Sequence, residues 1–555
     1  MADSHGRASF RQSLTDALAT ADLRRLQLNW TGASVGSWTF FIVLAVYAYN
    51  QGGATAVGVA ALARMVPAGL AAPLAGVVVD RRSRREVLLA STIGRSLLLA
   101  GIGAAVAAEA PLAAVLALSA VCTALATAHK PAQAALLPAL AETPRQIAAS
   151  NAVLTAVDSA GFLAGSLLAG VLVASTSIEL AFLVTAGFFA VAVWPLAQIP
   201  RDPIPAYREH GNEAEQALEE LGSGFRTVAH DPSLRLIVGL AACSTFVEGA
   251  VDVLVVLVAI ELLDLGNAGV GWLNSAWAVG GIAGGAGAIS LLARGRLAAG
   301  LAGGCLLVGV PLLLTAALPE VPVAVAMLVI LGVGYSLIET ANLTLLQRLT
   351  SDDVLGRAFA VLESSYWLTT GLGAITAPAI VSLLGVRGAL LAFGCSLPLL
   401  AALRWASLAR FEAGAAIPEH AFTLLRRVPL FAPLSIGALE NLSLRLAAMD
   451  VPAGRAVVRE GELGDRFYVI AVGEFDVTCS RGAFRPLVDG DVFGEIALLR
   501  DVPRTATVTA RREAVVFALD RDAFLTAVGG HRFSARTVDT LAADRAERQP
   551  AAPAV

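Results

Sequence analysis

Gly76-Val-Val-Val-Asp80-Arg-Arg-Ser-Arg-Arg85 (GVVVDRRSRR) is a charged break in an otherwise apolar stretch of chain. The run before it, AVGVAALARMVPAGLAAPLA (56–75), carries one charge, and the run after it, EVLLASTIGRSLLLAGIGAAVA (86–107), carries two. A helix needs about 20 apolar residues to cross the hydrocarbon of a bilayer, so each run is long enough to span it. Lysine and arginine collect in connections on the cytoplasmic side. The break therefore reads as a short cytoplasmic turn between two membrane helices.

Working outward, the same alternation continues. Hydrophobic residues are 56% of the 555-residue chain and charged residues only 15%, where soluble domains carry about 25% charge. Mean hydropathy is +0.71. Punctuating at polar turns gives twelve candidate spans, near 28–49, 55–79, 86–107, 111–140, 148–174, 178–198, 234–262, 267–293, 298–317, 321–346, 355–384 and 387–408. Arginines sit in alternate connections: Arg81, Arg82, Arg84 and Arg85, then Arg145, then Arg201, Arg208 and Arg226, then Arg294 and Arg296, then Arg348 and Arg357. Apart from Arg387 the opposite loops carry none, which predicts both termini in the cytoplasm. Residues 1–27 are polar, hold Arg7, Arg11, Arg24 and Arg25, and lack the pattern of a cleaved signal peptide. The net charge of −4 gives no hint of nucleic-acid binding. Cys122, Cys243, Cys305, Cys395 and Cys479 are scattered without metal spacing and read as small hydrophobes.

The chain also echoes itself. The stretch from Thr55, TAVGVAALARMVPAGLAAPLAG, is matched by NAGVGWLNSAWAVGGIAGGAGA from Asn267, and LLPAL at Leu136 by LLQRL at Leu345. Two six-helix halves are expected, the arrangement with which secondary transporters build a cavity that opens alternately to each side. Gly76-x-x-x-Asp80-Arg81-x-x-Arg84-Arg85, between the second and third spans, resembles the loop signature of the major facilitator superfamily. That resemblance implies a transporter in which Gly76 permits close helix packing and Asp80 pairs with a helix end or an arginine. The family often has a second glycine where this chain has Ser83. ETPRQIAASNAV after the fourth span and DDVLGRAFAV after the tenth look like the drug- and macrolide-efflux type.

Ionisable residues are costly in hydrocarbon, so those within spans are candidates for function. The first half offers Arg64, Arg95, Lys130 and Asp158, and the second Glu248, Asp252, Glu339 and Glu363. Glu248 and Asp252 share a helical face with Thr245, as Glu339 does with Asn342. Arg64, Asp158, Glu248, Asp252, Glu339 and Glu363 are the expected substrate and proton cavity, and crowded acids of this kind suit proton coupling. Arg95 and Lys130 lie nearer the expected span ends and read as structural or snorkelling side chains.

Beyond residue 408 charges return at ordinary density and the pattern changes. HAFTLLRRVPLFAPLSIGALENLSLRLAAMDV reads as two short amphipathic helices; strands of period two follow at Ala456, Phe467, Glu474 and Val515, with glycines at the turns. Within FGEIALLRDVPRTATV (493–508) the spacing suits an enclosed phosphate. Gly494 lets backbone approach closely, the N–H groups of Ile496 and Ala497 open a helical turn, and Arg504 returns as a bidentate partner. An unpaired buried arginine is expensive, which suggests an anion there.

VPAG, EGELGDRFYVIAVGEFDV and DGDVFGEIALLRDVPRTATV together resemble the cyclic nucleotide-binding domain. The resemblance implies that Glu495 accepts from the ribose 2′-hydroxyl, supported by Gly494. It also implies that Ile496 and Ala497 offer N–H groups, that Arg504 neutralises the cyclic phosphate, and that Thr505 adds contacts. Phe533 and Arg536 are candidates for the cap over the base. The ligand expected is cAMP, with cGMP the other candidate.

The fold expected is mainly α and polytopic: a twelve-helix major-facilitator fold in two halves, followed by a β-roll with flanking helices. The expected domains are a cytoplasmic lead-in (1–27), an N-terminal half (28–198), a central linker (199–233) and a C-terminal half (234–410). A short linker (411–421), the nucleotide-binding domain (422–545) and a disordered tail (546–555) complete the chain. The function expected is proton-coupled export of a small molecule from the cytoplasm across the cell membrane, tuned by nucleotide. The alternatives are a membrane-anchored nucleotide receptor or scaffold, and a lipid or lysolipid transporter. The expected partners are the nucleotide, the bilayer, protons and an unknown substrate, with a monomer or homodimer as the assembly. No nucleophile–base arrangement or nucleoside-triphosphate loop is present, so an enzyme is not expected.

Overall fold

The computed structural model describes residues 18–141, 144–200, 213–292, 297–349, 352–415, 419–431, 434, 439, 442–443, 445–480, 482–483 and 486–529. The chain divides into two compact units, Met1–Leu346 with Thr350–Ala409, and Gln347–Leu349 with Arg410–Val555.

In the first unit every described element is helical. α1 (Ala21–Arg81) is 61 residues long, about 90 Å of helix and far more than one hydrocarbon crossing of about 30 Å. It breaks at Gly52 and Gly53, the latter at φ +60°, a conformation open to glycine. α1 therefore holds spans 1 and 2. α12 (Asp352–Ala415) breaks in the same way at Gly385, φ +71°, and holds spans 11 and 12. Span 3 is α2 (Arg84–Ala107), and span 4 is α3 (Leu112–Ala126) continued by α4 (His129–Leu140). Spans 5 and 6 are α5 (Pro144–Ser175) and α6 (Ile178–Ala197). After α7 (Glu213–His230), α8 (Pro232–Leu257) runs through a π turn at Val258–Leu262 as span 7. Spans 8, 9 and 10 are α9 (Gly266–Leu292), α10 (Leu297–Ala317) and α11 (Val321–Leu349). Breaking the two long helices at their glycines thus gives twelve spans. Nine helices among the described residues are long and apolar enough to cross a membrane, two of them long enough to do so twice, which makes eleven crossings; α9, span 8, is not one of the nine.

Glycines set how the spans pack, since lipid offers no hydrophobic drive between helices and close backbone approach must supply the contact. A Cβ on Gly249 would strike the carbonyl of Thr370, and one on Gly373 the carbonyl of Phe246, so spans 7 and 11 touch backbone to backbone. Spans 1 and 5 do the same at Gly165, which lies against the Val35 carbonyl, and Gly161 makes room for the Ser34 side chain. Adding six to the pair 1·5 gives 7·11. Between the halves, Gly58 of span 2 meets Ala374 of span 11, and Gly271 of span 8 meets Gly170 of span 5. These two contacts also exchange when six is added. The echo in the sequence is therefore a repeat in packing.

The second unit begins with α13 (Glu419–Arg427) and a 3-10 turn at Pro429–Phe431. Eight strands follow among the described residues, in two antiparallel sheets. β1 (Ala447–Val451), β8 (Ala514–Asp520), β3 (Arg466–Val472) and β6 (Val492–Phe493) form one sheet in that order. β2 (Ala456–Val458), β7 (Thr507–Ala510), β4 (Phe475–Cys479) and β5 (Gly482–Ala483) form the other. Alternate residues of β3 face opposite ways. Tyr468 and Ile470 join Phe475, Phe493 and Val516 between the sheets. Phe467 and Val469 instead join Leu425, Phe431 and Phe524 beneath the helices. Phe467 stacks on Phe524 of α15 (Arg521–Gly529) at 4.7 Å, and Phe431 meets Phe467 edge-on at 5.6 Å.

One assignment from sequence is corrected. Ala447–Val451 is a strand, not the end of a helical pair. Its five residues pair in register with β8, Ala447 opposite Ala518 through Val451 opposite Ala514, and that ladder overrides the helical propensity of its two alanines.

Candidate functional site

The 493–508 cassette is built where β6 ends. Gly494 has φ +91°, which turns the chain off the strand into α14 (Glu495–Arg500). A Cβ on Gly494 would lie 2.5 Å from Arg504 Nη1, so two separate demands require glycine there. The first helical residues are Glu495, Ile496 and Ala497, whose N–H groups have no partner within the helix itself. Asp501 closes the turn with φ +52°, and the chain returns to place Arg504 back against Gly494.

Arg504 is 4% exposed and Glu495 6%. The Arg504 guanidinium donates from Nη1 to the Gly494 carbonyl at 3.0 Å and from Nη2 to the Arg466 carbonyl at 2.7 Å. Asp465 Oδ1 is 3.5 Å from Nη2, and the guanidinium carbon lies 5.8 Å from the Tyr468 ring centre. Burial, with the Asp465 charge second, pushes the Tyr468 phenol up, so it stays neutral and serves as a ring. Thr505 is exposed.

The expectation of an unpaired Arg504 is therefore corrected. Two carbonyls and one carboxylate of the protein partner it, so its burial alone does not require an anion. What the arrangement does provide is a fixed cation beside the opening turn of α14. Phe533 and Arg536 lie outside the described residues.

Sequence reasoning missed the loop that holds this corner. Gly464 leaves room for Ala497, 2.9 Å from where its Cβ would stand, and for the Arg504 guanidinium. Arg521 donates to the Gly464 carbonyl at 3.3 Å and to Asp501 at 2.6 Å, tying loop, helix end and α15 together. The Gly-Asp pair just before β3 was the available signal for a tight, polar loop.

In the transporter unit the side chains of Gly76, Asp80 and Arg145 lie outside the described residues, as do Arg7, Arg11, Arg201, Arg208, Arg294 and Arg296. Arg81 ends α1, and Arg84 and Arg85 open α2. Arg85 donates to the Ala197 carbonyl at 2.7 Å, capping the end of span 6. Ser83, at the position where a second glycine is frequent, caps α2 by accepting from the Glu86 N–H at 3.4 Å. Ser-x-x-Glu is a recognised helix-start signature that the sequence already displayed.

Of the charged candidates, Asp158 accepts from Ser34 at 3.1 Å and pairs with Lys130 at 3.4 Å. Glu363 accepts from the Trp367 indole at 3.1 Å. Arg64 is buried, its guanidinium carbon 4.8 Å from the Phe41 ring centre and 5.7 Å from that of Phe40. Asp252 of span 7 lies within its electrostatic reach, and Glu248 within that of both Asp252 and Glu339. The structure thus brings Arg64, Glu248, Asp252 and Glu339 to one seam between the halves. Arg95 corrects its sequence reading: it sits mid-way along α2, 5% exposed, donating to Ser37 at 2.8 Å and covering Phe189 at 4.2 Å.

The Major Facilitator Superfamily model matches residues 31–366, more than half of the chain. The chain belongs to the major facilitator superfamily. The facilitator unit is also similar in fold to the crystal structure of the nucleoside transporter NupG, at TM-score 0.59 over 70% of this chain and all of that one, with 10% identity. The Cyclic nucleotide-binding domain model matches residues 448–531. That domain is 41% identical over 107 residues to a cAMP-dependent protein kinase regulatory subunit of Yarrowia lipolytica, covering 19% of this chain and 28% of that protein. It is 40% identical over 105 residues to the subunit so named from Blastocladiella emersonii, covering 17% and 25%. The chain thus spans about a quarter of the length of the curated relatives it matches. This facilitator is a multi-pass membrane protein carrying a cyclic nucleotide-binding domain, and neither family is enzymatic.

Proposed function

We propose that this facilitator exports a small molecule across the cytoplasmic membrane on a proton gradient, and that cAMP bound to its C-terminal domain tunes the rate. The observation that carries the reading is the pairing, in one chain, of the transporter fold with a corner holding both Glu495 and Arg504 buried beside Gly494. In this reading Glu495 holds the ribose and Arg504 the cyclic phosphate. Ile496 and Ala497 offer N–H groups to the phosphate, and Thr505 lies at its edge. Likeness to cAMP-dependent kinase subunits favours cAMP over cGMP. The arginine-rich connections favour a cytoplasmic domain, reached by the nucleotide where it is made. Gly76, Asp80, Arg81, Arg84 and Arg85 form the gating loop. Glu248, Asp252, Glu339 and Glu363, with Asp158 and Arg64, serve substrate and protons.

Regulation needs unequal affinity of the nucleotide for two transporter states, because tight binding to both shifts nothing. The test is flux in proteoliposomes containing the full chain, with a proton gradient and a panel of erythromycin, lysophosphatidylcholine and ethidium. Saturating cAMP changes the rate for the transported member, cGMP does so less, and Arg504→Ala abolishes the change. Equal rates with and without cAMP sink the reading.

A further inference from the structure

The seam between the halves sets a guanidinium on span 2 near carboxyl groups on span 7, with no ion pair between them among the described residues. Arg64 is 9% exposed and, among the described residues, makes no hydrogen bond or ion pair; its buried Nε has no partner there. On span 7, Asp252 is within its electrostatic reach, and Glu248 stands one helical turn before Asp252. A buried charge is strongly destabilised unless something neutralises it.

A file of rings passes from one pole to the other across the two halves. Arg64 covers Phe41, which meets Trp38 edge-on at 6.1 Å. Trp38 packs on Phe162 at 4.2 Å, Phe162 on Trp277 at 6.2 Å, and Trp277 stacks on Tyr335 at 5.4 Å. The Tyr335 hydroxyl is buried without a hydrogen bond, within electrostatic reach of Glu248 and Asp252. Spans 1 and 5 supply the first three rings and spans 8 and 10 the last two, so the file crosses the seam. Ring faces attract cations and apolar bodies alike, and an orphaned hydroxyl seeks a polar partner.

We propose that this seam binds an organic zwitterion with an aromatic or apolar body, its anionic group on Arg64 and its cationic group on Asp252 and Glu248. The inference rests on the transporter reading above and names the substrate class for it. A molecule carrying only one charge leaves one pole unneutralised, whereas a zwitterion of suitable length neutralises both.

The test uses the purified full chain in nanodiscs and three probes with one body: 4-(aminomethyl)phenylacetate, its methyl ester and its N-acetyl derivative. They are respectively zwitterion, cation and anion. Binding is read from quenching of tryptophan fluorescence and from thermal shift, with neither gradient nor nucleotide. The zwitterion is expected to bind at least about tenfold tighter than either derivative, the scale of one lost charge-assisted contact. Arg64→Gln removes its advantage over the ester, Asp252→Asn its advantage over the N-acetyl compound, and Arg64→Lys retains part of it. Equal affinity for zwitterion and ester in the wild-type chain overturns the proposal, and so does failure of all three to bind. Neither outcome needs a variant to fold. Because no flux is measured, loss of nucleotide-regulated transport with the binding order intact would strike only the earlier reading.

Discussion

Replacing Arg504 with alanine separates what the arginine does for the fold from what it does for the ligand. Within the domain it satisfies the carbonyls of Gly494 and Arg466, at 3.0 and 2.7 Å. Losing it strands two carbonyls in a buried corner, which costs the domain about 1–3 kcal/mol. Asp465 is 75% exposed, so its pairing adds only about 0–1 kcal/mol. Toward the nucleotide the loss is larger. Two charge-assisted bonds to a cyclic phosphate are together about 2–4 kcal/mol, roughly a 30- to 1,000-fold weakening of binding. Isothermal titration of cAMP into the purified full chain measures this, with a melting curve confirming that each variant is folded. Arg504→Lys should fall between, keeping the charge but losing the fork that reaches two oxygens. A folded Arg504→Ala protein that binds cAMP with wild-type affinity would refute the assignment of the phosphate site.

Three further outcomes are expected. Gly494→Ala places a Cβ against Arg504 at a backbone angle of φ +91°; it should destabilise the domain by at least about 1–2 kcal/mol and weaken cAMP binding, read by melting and titration. Gly249→Leu drives a side chain into the backbone of span 11 at Thr370, so the variant should aggregate or lose the monodisperse peak on size exclusion, whereas Gly187→Leu, where nothing lies within 4 Å, should not. Tyr49 donates to Glu261 at 2.8 Å between the end of span 1 and the end of span 7. Tyr49→Phe removes that bond between the halves, worth about 1 kcal/mol, and should shift the balance of transporter conformations several-fold, measured by labelling of cysteines introduced at the seam.

Much of this architecture was legible because a membrane imposes coarse rules. Apolar runs of spanning length, and glycines at the two breaks, announce the helices. What the sequence concealed is tertiary. Arg95 read as a structural or snorkelling side chain, but the packing of α2 buries it against Ser37 and Phe189. Ala447–Val451 has no strand signature of its own and is held by β8. In the cassette, spacing alone pointed to Gly494 and Arg504, and the family resemblance added Glu495. That Arg504 is already satisfied by the Arg466 carbonyl and Asp465 could not, since those partners lie 38 and 39 positions away in sequence. The bipolar seam is a similar case. Its charges were visible one by one, but the file of rings linking them draws on four spans from both halves.

The central claim is that nucleotide at the C-terminal domain is felt by the transporter. Hydrogen–deuterium exchange on the full chain in nanodiscs, with and without saturating cAMP, reads this without knowledge of the substrate. The account predicts slowed exchange across residues 461–508 together with altered exchange in the spans between residues 21 and 409, both absent in Arg504→Ala. Protection confined to the nucleotide-binding domain, with the spans unchanged, would contradict it.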